Sequence, residues 1–209
     1  LTSSSDDSST DVLSIVISTY NLEELIEIAK VTNNLPAGLK IDVLTANVCE
    51  IVEPACKRKD PKIISSVTRI LSTLAALNEQ AAQIIESRGV VEKVIASAGQ
   101  FDNDLKFARN YAVFIASNAT SQQRRTNFAQ LGVFAKLNTT AQKYKDDLEL
   151  GLNTCLAYTS LVTGHPENVA LFVNSEAALH LEYLLTKFAD QPALVETIGR
   201  LLNTIISNN

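Results

Sequence analysis

The sequence predicts an all-α fold in which groups of three helices recur along the chain. Among its 209 residues there are only 7 Gly and 5 Pro, and 46% are hydrophobic, a composition that favours helices over strands and supplies a core. Over the last two thirds of the chain, apolar residues recur with a period of roughly 43 to 44 residues. The positions in register are Ile85, Phe128 and Phe172; Val91, Phe134 and Ala178; and Val94, Leu137 and Leu181. Such a repeat predicts a solenoid of stacked helical units.

The part of the chain before the repeats divides into a polar tail and a helical cap. The first residues are rich in Ser and Asp, so we expect a disordered tail there. Amphipathic segments follow, and then a longer helix over about 39–57. The predicted boundaries are 1–10 for the tail, 11–77 for an N-terminal cap with a first partial repeat, and 78–119, 120–163 and 164–208 for three repeats, with 11–209 forming one domain.

Each repeat is predicted to hold a short, a medium and a long helix. Gly89 and Gly132 each follow a short helix, where a left-handed backbone stops the helix at little steric cost. Proline suits the first turn of a helix, because that turn leaves its amide groups unpaired. Helices should therefore begin at Pro61, Pro166 and Pro192.

Three segments resemble armadillo repeats, in which the first helix ends at a glycine before an apolar second helix. They are NEQAAQIIESRGVVEKV at 78–94, SQQRRTNFAQLGVFAKL at 121–137 and HPENVALFV at 165–173. In the third repeat Glu176 replaces the glycine, so a different turn is expected there. The resemblance covers about residues 60 to 208. It implies a right-handed superhelix whose long third helices line a concave groove that binds an extended peptide or a partner helix.

The resemblance also implies which residues line that groove. Armadillo transport receptors carry Trp and Asn ladders on their third helices, but this chain has no Trp, so nuclear-import cargo binding is not expected. The Trp positions fall on Arg69, Asn110, Thr154 and Gly199, and the Asn positions on Thr73, Phe114, Tyr158 and Asn203. The predicted groove residues are Arg69, Thr73, Asn110, Phe114, Thr154, Tyr158 and Asn203. An alternative stays open, in which Phe114 and Tyr158 fill the core between repeats.

Several function classes find no support in the sequence. A net charge of −5 and a pI near 5.1 argue against nucleic-acid binding, which depends on clustered Lys and Arg. No apolar run is long enough to span a membrane. His165 and His180 lie in different predicted helices, and no metal-ligand cluster or phosphate loop is present, so we predict no catalytic residues, no cofactor and no metal. The three cysteines are expected to be core residues.

The sequence therefore predicts a non-enzymatic scaffold or adaptor that binds a protein partner. We expect it in the cytoplasm, where a lipidated N-terminus could hold it at a membrane. The sequence does not begin with Met, and such a signal would precede it. The alternative is a regulatory armadillo domain, such as an exchange factor of Hsp70 chaperones or the inhibitory domain of a formin.

Overall fold

The computed structural model describes residues 41–59 and 61–208. The predicted tail and the amphipathic segments of the cap lie outside these residues. The described part is all-helical and contains no strand. Its α-helices are α1 (Ile41–Arg58), α2 (Pro61–Leu77), α3 (Glu79–Ser87), α4 (Val90–Ser97), α5 (Leu105–Asn118), α6 (Gln122–Gln130), α7 (Val133–Lys143), α8 (Leu148–Val162), α9 (Pro166–Val173), α10 (Ala177–Lys187) and α11 (Pro192–Ser207), with a 3-10 turn at Ala98–Phe101. The helices predicted within these residues are confirmed, most of them to within two residues at each end.

The starts of the helices follow the period of the sequence. The side chains of Asn78, Ser121 and His165 each accept a hydrogen bond from the backbone N–H three residues later, and so cap α3, α6 and α9. Asp104 and Asp147 cap α5 and α8 in the same way. These caps explain why helix starts could be predicted locally.

The turn before the second helix of each group differs in the last group. Gly89 and Gly132 are left-handed, with φ of 61° and 76°. Glu176 has φ of −73°, and the Ser175 hydroxyl accepts a hydrogen bond from the Ala177 N–H at 3.2 Å. Ala177 is buried, as Val90 and Val133 are at the first position of α4 and α7, whereas Ala178 is exposed at the position where Val91 and Phe134 are buried.

The helices pack in a regular order. We call α3–α5 unit one, α6–α8 unit two and α9–α11 unit three. The long helices α2, α5, α8 and α11 lie side by side in chain order, α6 packs on α9, and α7 packs on α10. At the other end α1 packs on α2, α3 and α4, and so covers unit one. The repeat positions that fill the core of each unit are Ile85, Phe128 and Phe172, and Val94, Leu137 and Leu181.

Candidate partner-binding surface

The seven predicted groove residues do not share one environment. Arg69 and Asn203 are exposed and Thr73 is half-buried. The other four are buried, and they are Asn110, Phe114, Thr154 and Tyr158. A side chain without accessible surface cannot contact a partner in this conformation, so the structure does not bring the seven together on one surface.

The four buried side chains have packing roles. The Asn110 amide donates hydrogen bonds to the Ser65 carbonyl at 2.9 Å and to the Ser65 hydroxyl at 2.8 Å, which ties α5 to α2. The Tyr158 ring lies 6.1 Å from Phe134 in a stacked arrangement and meets Phe172 edge-on at 5.1 Å. Its hydroxyl donates to the Asn138 side chain. For Tyr158 the structure therefore agrees with the core alternative that the sequence left open.

Phe114 and Thr154 are fully buried as well. Phe114 belongs to the main hydrophobic core, which makes it a packing residue like Tyr158. The Thr154 hydroxyl has no hydrogen-bond partner among the described residues, and it lies inside the protein rather than at a surface. Both side chains therefore lie on the inward face of their helices and not in a groove.

The assignment of buried residues to the groove has a geometric cause. The bond between Asn110 and Ser65 joins residues 45 positions apart, and a bond from the Asn153 amide to the Arg109 carbonyl, at 3.3 Å, joins residues 44 apart. Neighbouring long helices therefore match at about one period. Asn110 follows Arg69 by about three residues less than that, so the two positions cannot be equivalent. One full period after Arg69 lies Val113, whose side chain is half-buried.

Correcting this register identifies a surface, which we call the exposed strip. One period separates its members from helix to helix, and every member is half-buried or exposed. The strip consists of Ser66, Arg69 and Thr73 on α2, Arg109, Val113 and Ser117 on α5, Asn153, Leu156 and Ser160 on α8, and Glu196, Arg200 and Asn203 on α11. Three predicted residues belong to it, namely Arg69, Thr73 and Asn203. Sequence reasoning missed Val113, Leu156 and Arg200, although stepping from Arg69 by one period would have found them.

The centre and the ends of the strip differ in chemistry. At the centre, Val113 and Leu156 are apolar, and Leu156 is 38% exposed. Arg69 at one end makes no ion pair with the described residues, and Arg200 at the other end lies 3.9 Å from Glu196, at the limit of an ion pair. An apolar centre flanked by two guanidinium groups can bind a segment that has an apolar residue between acidic ones.

One arginine of the strip is already engaged. The Arg109 Nε donates to Asp147 at 2.9 Å, its Nη2 also contacts that carboxylate, and its Nη1 lies 2.8 Å from Glu149. The hydrogen bonds from Arg109 lower the pKa of Asp147, and the bond from the Leu150 N–H adds to this. Arg109 therefore joins α5 to the start of α8 and is not free to bind a ligand.

The two histidines have structural environments. His165 Nδ1 lies 3.3 Å from the Asn168 N–H, which it caps, and 3.2 Å from the Glu167 carboxylate, while its Nε2 lies 2.8 Å from the Thr126 hydroxyl. His165 therefore caps α9. His180 is buried, neither ring nitrogen has a partner among the described residues, and burial lowers its pKa.

A cleft lies beside His165, between α6 and α9. It has a volume of about 630 Å³ and is lined mainly by amide and other uncharged side chains, including Gln122, Gln130 and Leu171. Within residues 41–59 and 61–208, no group of three or more His, Cys, Asp or Glu side chains is placed to hold a metal ion. In the same residues, no helix combines the length and the apolar character needed to cross a membrane.

Comparison with known proteins places the fold but not the function. No protein-family model matches the chain, and no curated protein matches it. Two crystal structures of engineered proteins from the Northeast Structural Genomics Consortium are similar to it. One is 19% identical with a TM-score of 0.60, and the match covers 95% of this chain and 86% of that one. The other is 14% identical with a TM-score of 0.54, and 98% of each chain is covered. At such identities the likeness concerns the fold alone.

Proposed function

We propose that this protein is a non-enzymatic scaffold that binds a peptide or helix of a partner protein along the exposed strip. The proposal includes the finer architecture, a right-handed armadillo-type solenoid. The side-by-side order of α2, α5, α8 and α11 supports it, as do the helix caps that recur at one period. A solenoid presents one side of its long helices as a continuous surface, which suits an elongated ligand.

The observation that carries the proposal is the composition of the strip at its centre. The described chain places an exposed Leu156 beside Val113 on the neighbouring helix, between hydroxyl and amide groups. The Asn153 amide is held in place by its bond to the Arg109 carbonyl, so its oxygen is oriented before a ligand arrives. Apolar anchors surrounded by polar groups are typical of protein-binding surfaces.

The side chains of the strip indicate which kind of ligand it would bind. An apolar side chain would pack on Val113 and Leu156, and acidic residues on either side would pair with Arg69 and Arg200. As an adaptor, the protein would act in the cytoplasm and connect this ligand to a cellular structure or a membrane. The same surface gives no reason to expect catalysis, because the strip holds no nucleophile paired with a base.

The proposal is tested by selecting peptides against the whole chain from a displayed library of natural sequences. Binding of the selected peptides is then measured by fluorescence anisotropy for the wild type, for Leu156→Asp and for the control Leu179→Asp. Leu179 is 64% exposed on α10, away from the strip. We expect Leu156→Asp to lose at least about tenfold in affinity, a difference of about 1.4 kcal/mol, and the control to bind as the wild type does.

Two results would count against the proposal. If Leu156→Asp binds the selected peptides like the wild type, while both variants keep the wild-type melting temperature, the strip is not the site. If the protein accelerates nucleotide release from an Hsp70 chaperone, it is a regulator of that chaperone rather than an adaptor.

A further inference from the structure

Helix α11, the last described helix, repeats a set of positions that are buried on α5 and α8, but on α11 the side chains at these positions are exposed. Four positions on α5 and the four positions one period later on α8 are buried, and they are Phe107, Tyr111, Phe114 and Asn118, followed by Gly151, Cys155, Tyr158 and Val162. One further period leads to α11 and to Val195, Gly199, Leu202 and Ile206, which we call the terminal stripe. Its three side chains are exposed, to 41% for Val195, 43% for Leu202 and 72% for Ile206.

Within the chain, the matching stripe on α8 is the contact face for the following unit. A Cβ atom on Gly151 would lie 2.9 Å from a methyl group of Leu184, which belongs to α10. Tyr158 meets Phe172 of α9 edge-on at 5.1 Å. Both contacts come from unit three. The terminal stripe is therefore the continuation of an interface that the chain itself already forms.

An acidic residue marks the edge of the same interface. Asp102, Asp146 and Asp190 are spaced by one period. Lys187 pairs with the Asp146 carboxylate, whereas Lys143 donates to the Asp102 backbone carbonyl at 2.9 Å and the Asp102 carboxylate pairs with Lys136. Lys143 and Lys187 each end the second helix of the following unit. Asp190 is exposed and has no ion pair or hydrogen bond from its side chain among the described residues.

We propose that the terminal stripe and Asp190 form a docking site for a helical hairpin of a partner protein. The hairpin would resemble α9 and α10, with apolar side chains facing the stripe and a lysine at the end of its second helix for Asp190. The two ends of the described chain support this, because α1 covers unit one while nothing in the described chain covers unit three. Exposed apolar patches mark interaction sites, and the terminal stripe is exposed and apolar.

The structure itself supplies a probe for this site. A synthetic peptide of residues 166–188 contains Phe172, Leu184 and Lys187, the side chains that cover the matching face of α8. It is titrated into the ¹⁵N-labelled whole chain, and amide chemical shifts are followed by NMR. We expect shifts that cluster at residues 189–191 and along the outer face of α11. In the peptide, Lys187→Ala should weaken binding by at least about tenfold if Asp190 is its partner.

Variants of the whole chain separate this site from the exposed strip. Leu202→Asp, and Ile206→Asp as a second variant near the end of the helix, should each lose at least about tenfold in affinity for the peptide. Asn203→Asp changes the next residue of the same helix, on the exposed strip, and should bind the peptide like the wild type. Thermal melts ensure that only folded variants are compared.

Three outcomes would overturn the proposal. Leu202→Asp and Ile206→Asp could both bind like the wild type, or the shifts could fall on α8, which would mean that the peptide displaces unit three. The third concerns a second copy of this chain as the occupant. Sedimentation velocity would reveal it as a wild-type dimer that Leu202→Asp converts to a monomer. The strip is tested with other peptides and with Leu156→Asp, so the two proposals can fail separately.

Discussion

One face of helix α8 is buried and the other is exposed, although the residues of the two faces are interspersed along the sequence. Tyr158 and Gly151 are buried on the inner face, whereas Leu156 and Asn153 lie on the exposed strip. Both sets follow steps of three and four residues, so both have the spacing of a helix face. The comparison shows that periodicity separates the faces of a helix, while the neighbouring helices determine which face is buried.

The largest test of this comparison replaces one large side chain on each face. Tyr158→Ala should lower the free energy of unfolding by about 3 to 5 kcal/mol, because it leaves a cavity among Phe134 and Phe172. Leu156→Ala should change it by less than about 0.5 kcal/mol. Urea unfolding followed by circular dichroism measures both values. Similar losses for the two variants would contradict the burial that separates the faces.

Two glycines sharpen the comparison at the level of a single methyl group. Ala is favoured over Gly in a helix interior by about 1 kcal/mol. At Gly199 an added Cβ meets nothing within 4 Å, so Gly199→Ala should stabilise the protein by about that amount. At Gly151 the added Cβ collides with Leu184, and overpacking costs about 1 to 3 kcal/mol. Gly151→Ala should therefore be less stable than Gly199→Ala in the same urea experiment, and equal stabilities would show that the α8–α10 contact is loose.

A smaller effect on stability is expected at the start of α8, where Asp147 caps the helix and pairs with Arg109. Its folded-state pKa is lowered from 3.8, mainly by Arg109, so the stabilisation is present above about pH 4 and is lost as the pH falls through the folded-state pKa. Asp147→Asn keeps a capping side chain but removes the charge. We expect it to cost about 1 kcal/mol at pH 7 and to flatten the fall in stability below about pH 4. An unchanged acid profile would mean that the ion pair contributes nothing.

The reactivity of cysteine thiols compares the two faces of α8 with the smallest expected change in stability. Burial raises the pKa of Cys155 to about 12, so its thiol should react with a disulfide reagent only after unfolding. In a Cys49→Ser, Cys56→Ser background, Leu156→Cys places a second thiol one residue from Cys155 on the strip, and this thiol should react rapidly in the native state. Reaction kinetics at pH 8 measure both thiols. Fast labelling of Cys155 in the folded wild type would be inconsistent with the inner face being closed.

The helices could be predicted from the sequence because their signals are local. Asn78, Ser121 and Asp147 bond to backbone groups only three residues away, so a short window contains both partners. Pro61 begins α2 as expected, because the preference of proline for the first helical turn is also a local signal. Glu176 predicts a different turn, and the structure has one, with φ of −73° and a bond from the Ala177 N–H to the Ser175 hydroxyl. The exposure of Ala178, at the position where Val91 and Phe134 are buried, could not be predicted from this departure.

The partner-binding surface could be predicted only in part. Arg69, Thr73 and Asn203 lie on the strip, but Asn110, Phe114, Thr154 and Tyr158 are packing residues. The error arose because Asn110 lies about three residues short of one full period after Arg69, which moves the assignment onto the inward face of α5, whereas a full period leads to Val113. The Asn110 to Ser65 bond, which fixes that register, joins residues too far apart for a local signal.

The bonds between units have a consequence for how the chain folds. The side-chain hydrogen bonds from one unit to the next join positions 37 to 45 apart, as those of Asp146 with Tyr183 and of Asn110 with Ser65 show. Each such bond closes a loop of similar length, so the entropic cost of adding a unit hardly changes along the chain. Folding that begins in any adjacent pair of units can then spread to its neighbours.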